Sequence, residues 1–286
     1  MDESSKSGIL VVDKPKNLTS RDVVNRVSRL LKTKKVGHTG TLDPLATGVL
    51  ILTVGKCTKL SEFLTSKYKE YVAKFTLGFE TDTLDITGTT TKTSSHHACE
   101  EDIKKCILSF QGRYDQEVPL YSAIKKDGKR LYEYARNEED IILPRREVDI
   151  SRIEIISIEE NVVEIKTTVS KGTYIRSLIR DIGANLQTYA TMTELRRIAQ
   201  GHISIDEAYT LEDIENGNFK LISPMELLSD IETRELDEED YKKVSNGVAM
   251  FEDSKSEFIK FTYQKTLVAL YRKADEHYRM YVKFTD

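Results

Sequence analysis

Hydrophobic and polar positions fall into short, distinct rhythms along the chain. In YVAKFTLG, Tyr71, Ala73, Phe75 and Leu77 share one face, the period-two signature of a half-buried strand. GILVVDKP predicts a strand over 9–13 closed by Pro15, and an unbroken apolar run predicts another over 48–54. TSRDVVNRVSRLLK instead sets Val23, Val24, Val27, Leu30 and Leu31 at helical spacing. Thr19 or Ser20 can cap that helix, and lysines follow in its last turn, where the dipole favours them. ACEEDIKKCILSF reads as a short amphipathic helix. Strands are predicted over 150–158 and 162–169 around the turn EEN, then a helix in KGTYIRSLIRDIGANL with Ile175, Leu178, Ile179 and Ile182 facing inward.

Two stretches break the rhythm. Residues 112–147 are polar, mixed in charge and carry Tyr114, Tyr121, Tyr132 and Tyr134, which predicts a functional excursion or lid. SDIETRELDEEDY, near 230–240, reads as a joint between domains, and FIKFTYQ, TLVALYRK and HYRMYVKF beyond it alternate as strands. Strands and helices without regular βαβ alternation point to an α+β fold. The expected organisation is a large domain over 1–230 and a small β-rich one over 231–286.

Composition adds exclusions. With 39% hydrophobic and 31% charged residues in 286, the chain is of ordinary globular type, and no apolar run approaches the roughly 20 residues a membrane helix needs. MDESSKSG lacks the basic and apolar regions of a secretory signal, so a cytoplasmic protein without membrane contact is expected. Cys57, Cys99 and Cys106 form no CxxC pair, and HHAC (96–99) lacks the second spaced pair of a structural zinc site; it reads as an exposed approach to a helix. No metal is expected.

The formal charge of −4 hides an asymmetry: residues 1–80 hold 14 Lys and Arg against 8 Asp and Glu, while residues 201–240 hold 2 against 13. Local basic surface decides phosphate binding, although KTKK (32–35) by itself also suits a solvated helix end.

The stretch GHTGTLDPLATGVLIL (37–52) carries the chemistry. Gly48 and Gly55 are separated by six intervening residues and Lys56 precedes Cys57, so the phosphate-binding P-loop pattern fails. No GxSxG elbow is present, and Asp43 has no second carboxylate near it in sequence. A lone aspartate on a glycine-braced loop suits a nucleophile or general base, or equally a structural Asx-turn.

Six blocks in order change that balance: VVDKPKNLTS, GHTGTLDPLATGVL, LGFETDTLDITG, VPLYSAIKKDGKRLYEYAR, SKGTYIRSLIRDIG and ELRR, across roughly residues 8–200. They closely resemble the bacterial TruB family of tRNA pseudouridine synthases. The resemblance implies the pseudouridine synthase fold, a mixed, largely antiparallel sheet with flanking helices, with a reduced PUA-like RNA-binding domain at the C-terminus. It implies that Asp43 is the catalytic aspartate, that Tyr71 stacks on the target base and is implicated in proton removal, and that Arg176 ion-pairs with Asp43. Tyr174 and Leu195 would line the uracil pocket, and His38 would take part when the nucleotide flips. The implied reaction breaks an N-glycosidic bond, rotates the uracil and rejoins it through C5, which needs no cofactor.

These roles suit the residues. A guanidinium offsets the cost of burying a carboxylate, and tyrosines recover part of the few kcal/mol spent in flipping a base, at roughly 1–3 kcal/mol per stacked base. Gly37 and Gly40 let backbone approach RNA, and Pro44 stiffens the chain after Asp43. The excursion resembles the thumb of stand-alone bacterial enzymes, with Lys125, Lys126, Lys129, Arg130 and Arg136, together with Lys14, as candidates for phosphate contact. A monomer gripping the T-arm of folded tRNA without a protein partner is the expectation. A tRNA-folding chaperone using the same surface, or a synthase acting on another RNA, is the alternative. Two departures stand out: Asn17 where the family usually has glycine, and Val118 where a second proline is common, which would loosen the base of the excursion.

Overall fold

The computed structural model describes residues 7–65 and 68–285; most of the N-terminal segment considered for a signal lies outside them. A nine-stranded mixed sheet organises the α+β fold. Its main path runs Gly8–Lys14, Thr47–Val54, Ala190–Gln200, Lys69–Leu77, Val162–Val169, Arg145–Glu159 and Gly112–Glu117. Neighbours on this path are antiparallel except at one place, where Thr47–Val54 meets Ala190–Gln200 in parallel at the pairs Arg196–Thr47 and Arg197–Gly48.

Helices Ser20–Leu30, Glu100–Ser109 and Ile175–Asn185 cover one face. Val23, Val24 and Val27, Ile103 and Ile107, and Leu178, Ile179 and Ile182 join Tyr71, Ala73 and Phe75 of the sheet in one core. Thr19 caps the first helix in a reciprocal box with Asp22, which leaves Ser20 free for another task. The strand Thr47–Val54 is buried on both faces: Leu50 and Leu52 enter that core, while Val49 and Ile51 enter a second one behind it. Burial on two sides explains its unbroken apolar run.

The second core holds Ile9, Val11, Val49 and Ile51 together with Leu267, Leu270 and Val282 of a four-stranded sheet. That sheet runs Glu232–Glu235, Phe258–Tyr263, Thr266–Ala274 and His277–Lys283. The run expected as a joint therefore contributes a strand, paired in parallel with Phe258–Tyr263, followed by the helix Glu238–Ser245. The Lys260 ammonium donates to Leu228 O at 2.7 Å, and Lys56 to Phe284 O at 3.0 Å, stitching the two parts.

The excursion is shorter than the sequence suggested. Gly112–Glu117 and Arg145–Glu159 are paired strands of the main sheet, so the irregular part spans 118–144. It contains a two-residue hairpin at Lys125–Lys126 and Lys129–Arg130 and the helix Leu131–Arg136. Its base is not loosened by Val118, which is fully buried and donates its N–H to Pro144 O at 3.0 Å, a bond that proline cannot make. His96, His97 and Cys99 are exposed ahead of the helix Glu100–Ser109. Among the described residues no group of three or more His, Cys, Asp or Glu is placed to hold a metal ion, and no helix is long and apolar enough to cross a membrane.

Candidate functional site

The site grows from the loop ahead of Thr47–Val54. Its backbone is fixed on either side of Asp43. Ser20, spared from capping, accepts from Leu42 N–H at 2.8 Å and donates to Leu42 O at 3.2 Å. Pro44 O accepts the N–H of Asn17 at 2.8 Å. Asn17 makes that bond from the left-handed region, with φ of 68°, so asparagine keeps the geometry that glycine would provide. The Asp43 carbonyl accepts Ala46 N–H at 3.0 Å, closing a turn. A carboxylate so mounted has little freedom beyond its own side-chain torsions.

Arg176, in the first turn of Ile175–Asn185, is 5% exposed, and its Nε lies 2.9 Å from Asp43 Oδ2. That approach is too bent for a hydrogen bond, so the contact is chiefly one of charge. The other guanidinium nitrogens are used elsewhere: Nη1 donates to Thr83 O at 2.9 Å and Nη2 to Tyr121 O at 3.0 Å. Asp43 keeps 35% of its side chain exposed and is thus the open member of the pair. Arg176 also joins three segments distant in sequence, including the base of the excursion.

Tyr71 is 7% exposed on Lys69–Leu77 and belongs to one core with Leu42, Leu45, Ile175 and Leu195. Its strand neighbours are Thr167 on one side and Arg197 on the other. Leu195, opposite Ala73, lies on the same face. Tyr174 caps the helix of Arg176, and its backbone is gripped by Gln116, a fully buried residue. Gln116 Oε1 accepts Tyr174 N–H at 2.8 Å, and Nε2 donates to Tyr174 O at 3.1 Å. The Arg146 guanidinium lies 5.7 Å from the Tyr174 ring centroid, and burial pushes the Tyr174 phenol up from its ordinary pKa. His38, at the end of Val36–His38, has its pKa lowered by burial and then by Arg21 and Arg197, which favours the neutral imidazole. Its Nδ1 is buried without a hydrogen-bond partner among the described residues.

The cations expected on RNA divide. Lys125 and Lys126 lie on the excursion hairpin, although the Lys126 ammonium is held by Ile142 O at 2.6 Å. Arg130 and Arg136 flank the Tyr132 ring, and Lys129 pairs with Glu139. Lys14 does not fit the expectation. It is fully buried, and its Nζ is taken by Pro15 O at 2.9 Å, Leu18 O at 2.6 Å and Pro44 O at 3.4 Å. Alternation places it on the inner face of Gly8–Lys14, where it braces the Asp43 loop instead of meeting phosphate.

Sequence reading missed Gln116, Arg146 and Arg197. Gln116 is the one fully buried position of the polar strand GRYDQE, on the same face as Tyr114, and Arg197 belongs to ELRR, of which the family likeness singled out the leucine alone.

Comparison with known proteins follows the same lines. The family model described as "TruB family pseudouridylate synthase (N terminal domain)" matches residues 28–175, and "tRNA pseudouridylate synthase B C-terminal domain" matches 176–229. The chain is 41% identical over 266 residues to tRNA pseudouridine synthase B of Clostridium kluyveri, covering 92% of this chain and 91% of that one. It is 44% identical over 216 residues to tRNA pseudouridine synthase B of Bacillus subtilis, covering 73% and 70%. A solved structure titled "Crystal Structure of a Cbf5-Nop10-Gar1 Complex" superposes with a TM-score of 0.72 at 24% identity, over 97% of this chain and 85% of that one, a likeness of fold.

Proposed function

The chain belongs to the TruB family of pseudouridylate synthases, and on that premise we propose that it isomerises uridine in tRNA to pseudouridine, acting on the T-loop uridine at position 55. The observation that carries the reading is Asp43, anchored through both neighbours and paired at 2.9 Å with the buried Arg176.

In this reading the target nucleotide leaves its stack, at a cost of a few kcal/mol, and its uracil enters between Tyr71, Tyr174 and Leu195. Asp43 assists departure of N1 from the ribosyl carbon. The uracil turns, C5 bonds to that carbon, the C5 proton is lost with Tyr71 beside the base, and N1 takes up a proton. Arg176 keeps the carboxylate aimed and offsets its charge while water is excluded. His38, whose surroundings favour the neutral imidazole, would donate or accept without carrying charge when the nucleotide flips. Substrate and product contain the same atoms, so the chemistry calls for no redox or group-transfer partner.

The excursion 118–144 would grip the T-arm through Lys125, Lys126 and Arg136, and the unit over 231–286 would serve as a reduced PUA-like RNA-binding domain. The protein would act as a monomer in the cytoplasm, without a protein partner. The test uses purified protein and a tRNA transcript tritiated at uracil C5. Tritium release that vanishes in Asp43→Asn, and when the T-loop uridine is changed, is the expected result. Release that persists in Asp43→Asn would remove the assignment of Asp43, and release that ignores the T-loop change would move the target elsewhere.

A further inference from the structure

The loop that carries Asp43 is gripped from beneath by the strand Ala190–Gln200. Arg197 of that strand is 1% exposed and has no carboxylate partner among the described residues. Its guanidinium instead donates through Nε to Val49 O at 2.6 Å and through Nη2 to Gly40 O at 3.1 Å. Gly40 precedes Asp43 and Val49 follows it, so one side chain spans both stems of the loop. Gln200, 2% exposed, adds a second tie: its Nε2 donates to Thr39 Oγ1 and to Leu64 O, each at 2.9 Å.

The backbone around Arg197 is equally committed. Gly48, with φ of +100°, packs so tightly that an added Cβ would lie 2.1 Å from Arg197 O. On its other side Arg197 pairs with Tyr71. A single residue therefore sets the position of the Asp43 loop relative to the strand that carries Tyr71. A buried guanidinium without a counter-ion is costly, and plain apolar packing would fill the space without that cost. What apolar packing cannot do is hold two carbonyls of one loop at fixed separation, as the planar guanidinium does. The charge is also felt locally, since it helps to lower the pKa values of His38, Lys14 and Lys69.

We propose that Arg197, seconded by Gln200, is a positioning clamp that registers the Asp43 loop against Tyr71 for the chemical step, without touching RNA. The inference rests on the reading of Asp43 as the reacting carboxylate. It specifies an effect on turnover of bound tRNA and none on tRNA affinity. A loop shifted by about 1 Å loses on the order of 100-fold in rate.

The test compares full-length wild type with Arg197→Lys, Arg197→Met, Gln200→Leu and Asp43→Asn. Readouts are single-turnover tritium release at saturating enzyme, tRNA binding, and amide hydrogen exchange. Arg197→Lys retains a donor that can reach one carbonyl and is expected to lose roughly 10-fold in rate, Arg197→Met roughly 100-fold, and Gln200→Leu several-fold. Dissociation constants should stay within about threefold of wild type, and faster exchange should be confined to the amides of 39–48. If Arg197→Met does not fold, Arg197→Lys and Gln200→Leu decide the matter by the same readouts. Wild-type rates in those two variants, or rate losses matched by equal losses of tRNA affinity, overturn the clamp. Turnover in Asp43→Asn would instead overturn the reading beneath it. Loss in Asp43→Asn beside undiminished rates in the β-strand variants would sink the clamp alone.

Discussion

Two sets of cations in this molecule do opposite work. Lys14 and Arg197 beneath the Asp43 loop are buried, and their donors are used on main-chain carbonyls. On the excursion Lys125, Arg130 and Arg136 are exposed, the two arginines against the Tyr132 ring, and the half-buried Lys129 lies over the Tyr134 ring and pairs with the exposed Glu139. The first set behaves as hydrogen-bonding hardware that happens to be charged. The second is charge held loosely, at low cost to redirect towards phosphate. The residue types are identical; what differs is whether the surrounding backbone offers carbonyls or water.

The contrast can be strained from several directions. The largest effect is expected at Arg176, which belongs to the buried kind but faces a carboxylate. Arg176→Met should lower turnover by on the order of 100-fold or more and stability by about 1–3 kcal/mol, read by tritium release and urea unfolding. A variant with normal turnover would mean that the Asp43 contact is incidental. Next comes the exposed set. Lys125→Ala combined with Arg136→Ala should weaken tRNA binding and make the slope of log K against log salt shallower by about 1 for each phosphate no longer neutralised, leaving the rate of bound tRNA unchanged. An unchanged salt slope would show that these side chains do not meet phosphate.

A smaller effect separates Lys14 from that set. Burial lowers its pKa from 10.5 to about 8, partly opposed by Asp43. Between those values the unfolded chain holds a proton that the folded chain has released, so stability contributed at this position rises with pH from about 8 towards 10.5. The unfolding free energy of wild type minus that of Lys14→Met should therefore increase across the window, measured by urea titration at several pH values. A flat difference would return Lys14 to the solvated class. The smallest change is expected at Asn17. Asn17→Gly should alter stability by less than about 1 kcal/mol, since either residue tolerates a left-handed φ, whereas Asn17→Ala should cost about 1 kcal/mol or more. Equal melting behaviour for both variants would show that the φ of 68° is easily abandoned.

Much of the fold was legible because it rests on local rhythm. Alternation from Tyr71 to Leu77 and the helical spacing from Val23 to Val27 both describe elements that lie in the core. Gly112–Glu117 was not legible as a strand because it is an edge strand whose only fully buried side chain is a glutamine. The pairing of Asp43 with Arg176 was expected through family likeness, since 133 positions separate them and no local pattern connects them. Lys14 was misplaced for a physical reason: a lysine beside a proline turn reads as surface, and only tertiary folding brings three carbonyls around its ammonium.

The strand Thr47–Val54 has a reverse side. Val49 and Ile51 share one buried cluster with Leu60, Leu64 and Leu227 and with Leu267, Leu270 and Val282, so C-terminal residues contribute to the apolar layer behind the strand that follows Asp43. Removing that C-terminal unit would strip water-excluding cover from the back of the loop's own foundation. A shortened protein would then lose turnover through a softened support, over and above any loss of RNA binding by the deleted unit, although every residue facing the nucleotide was retained.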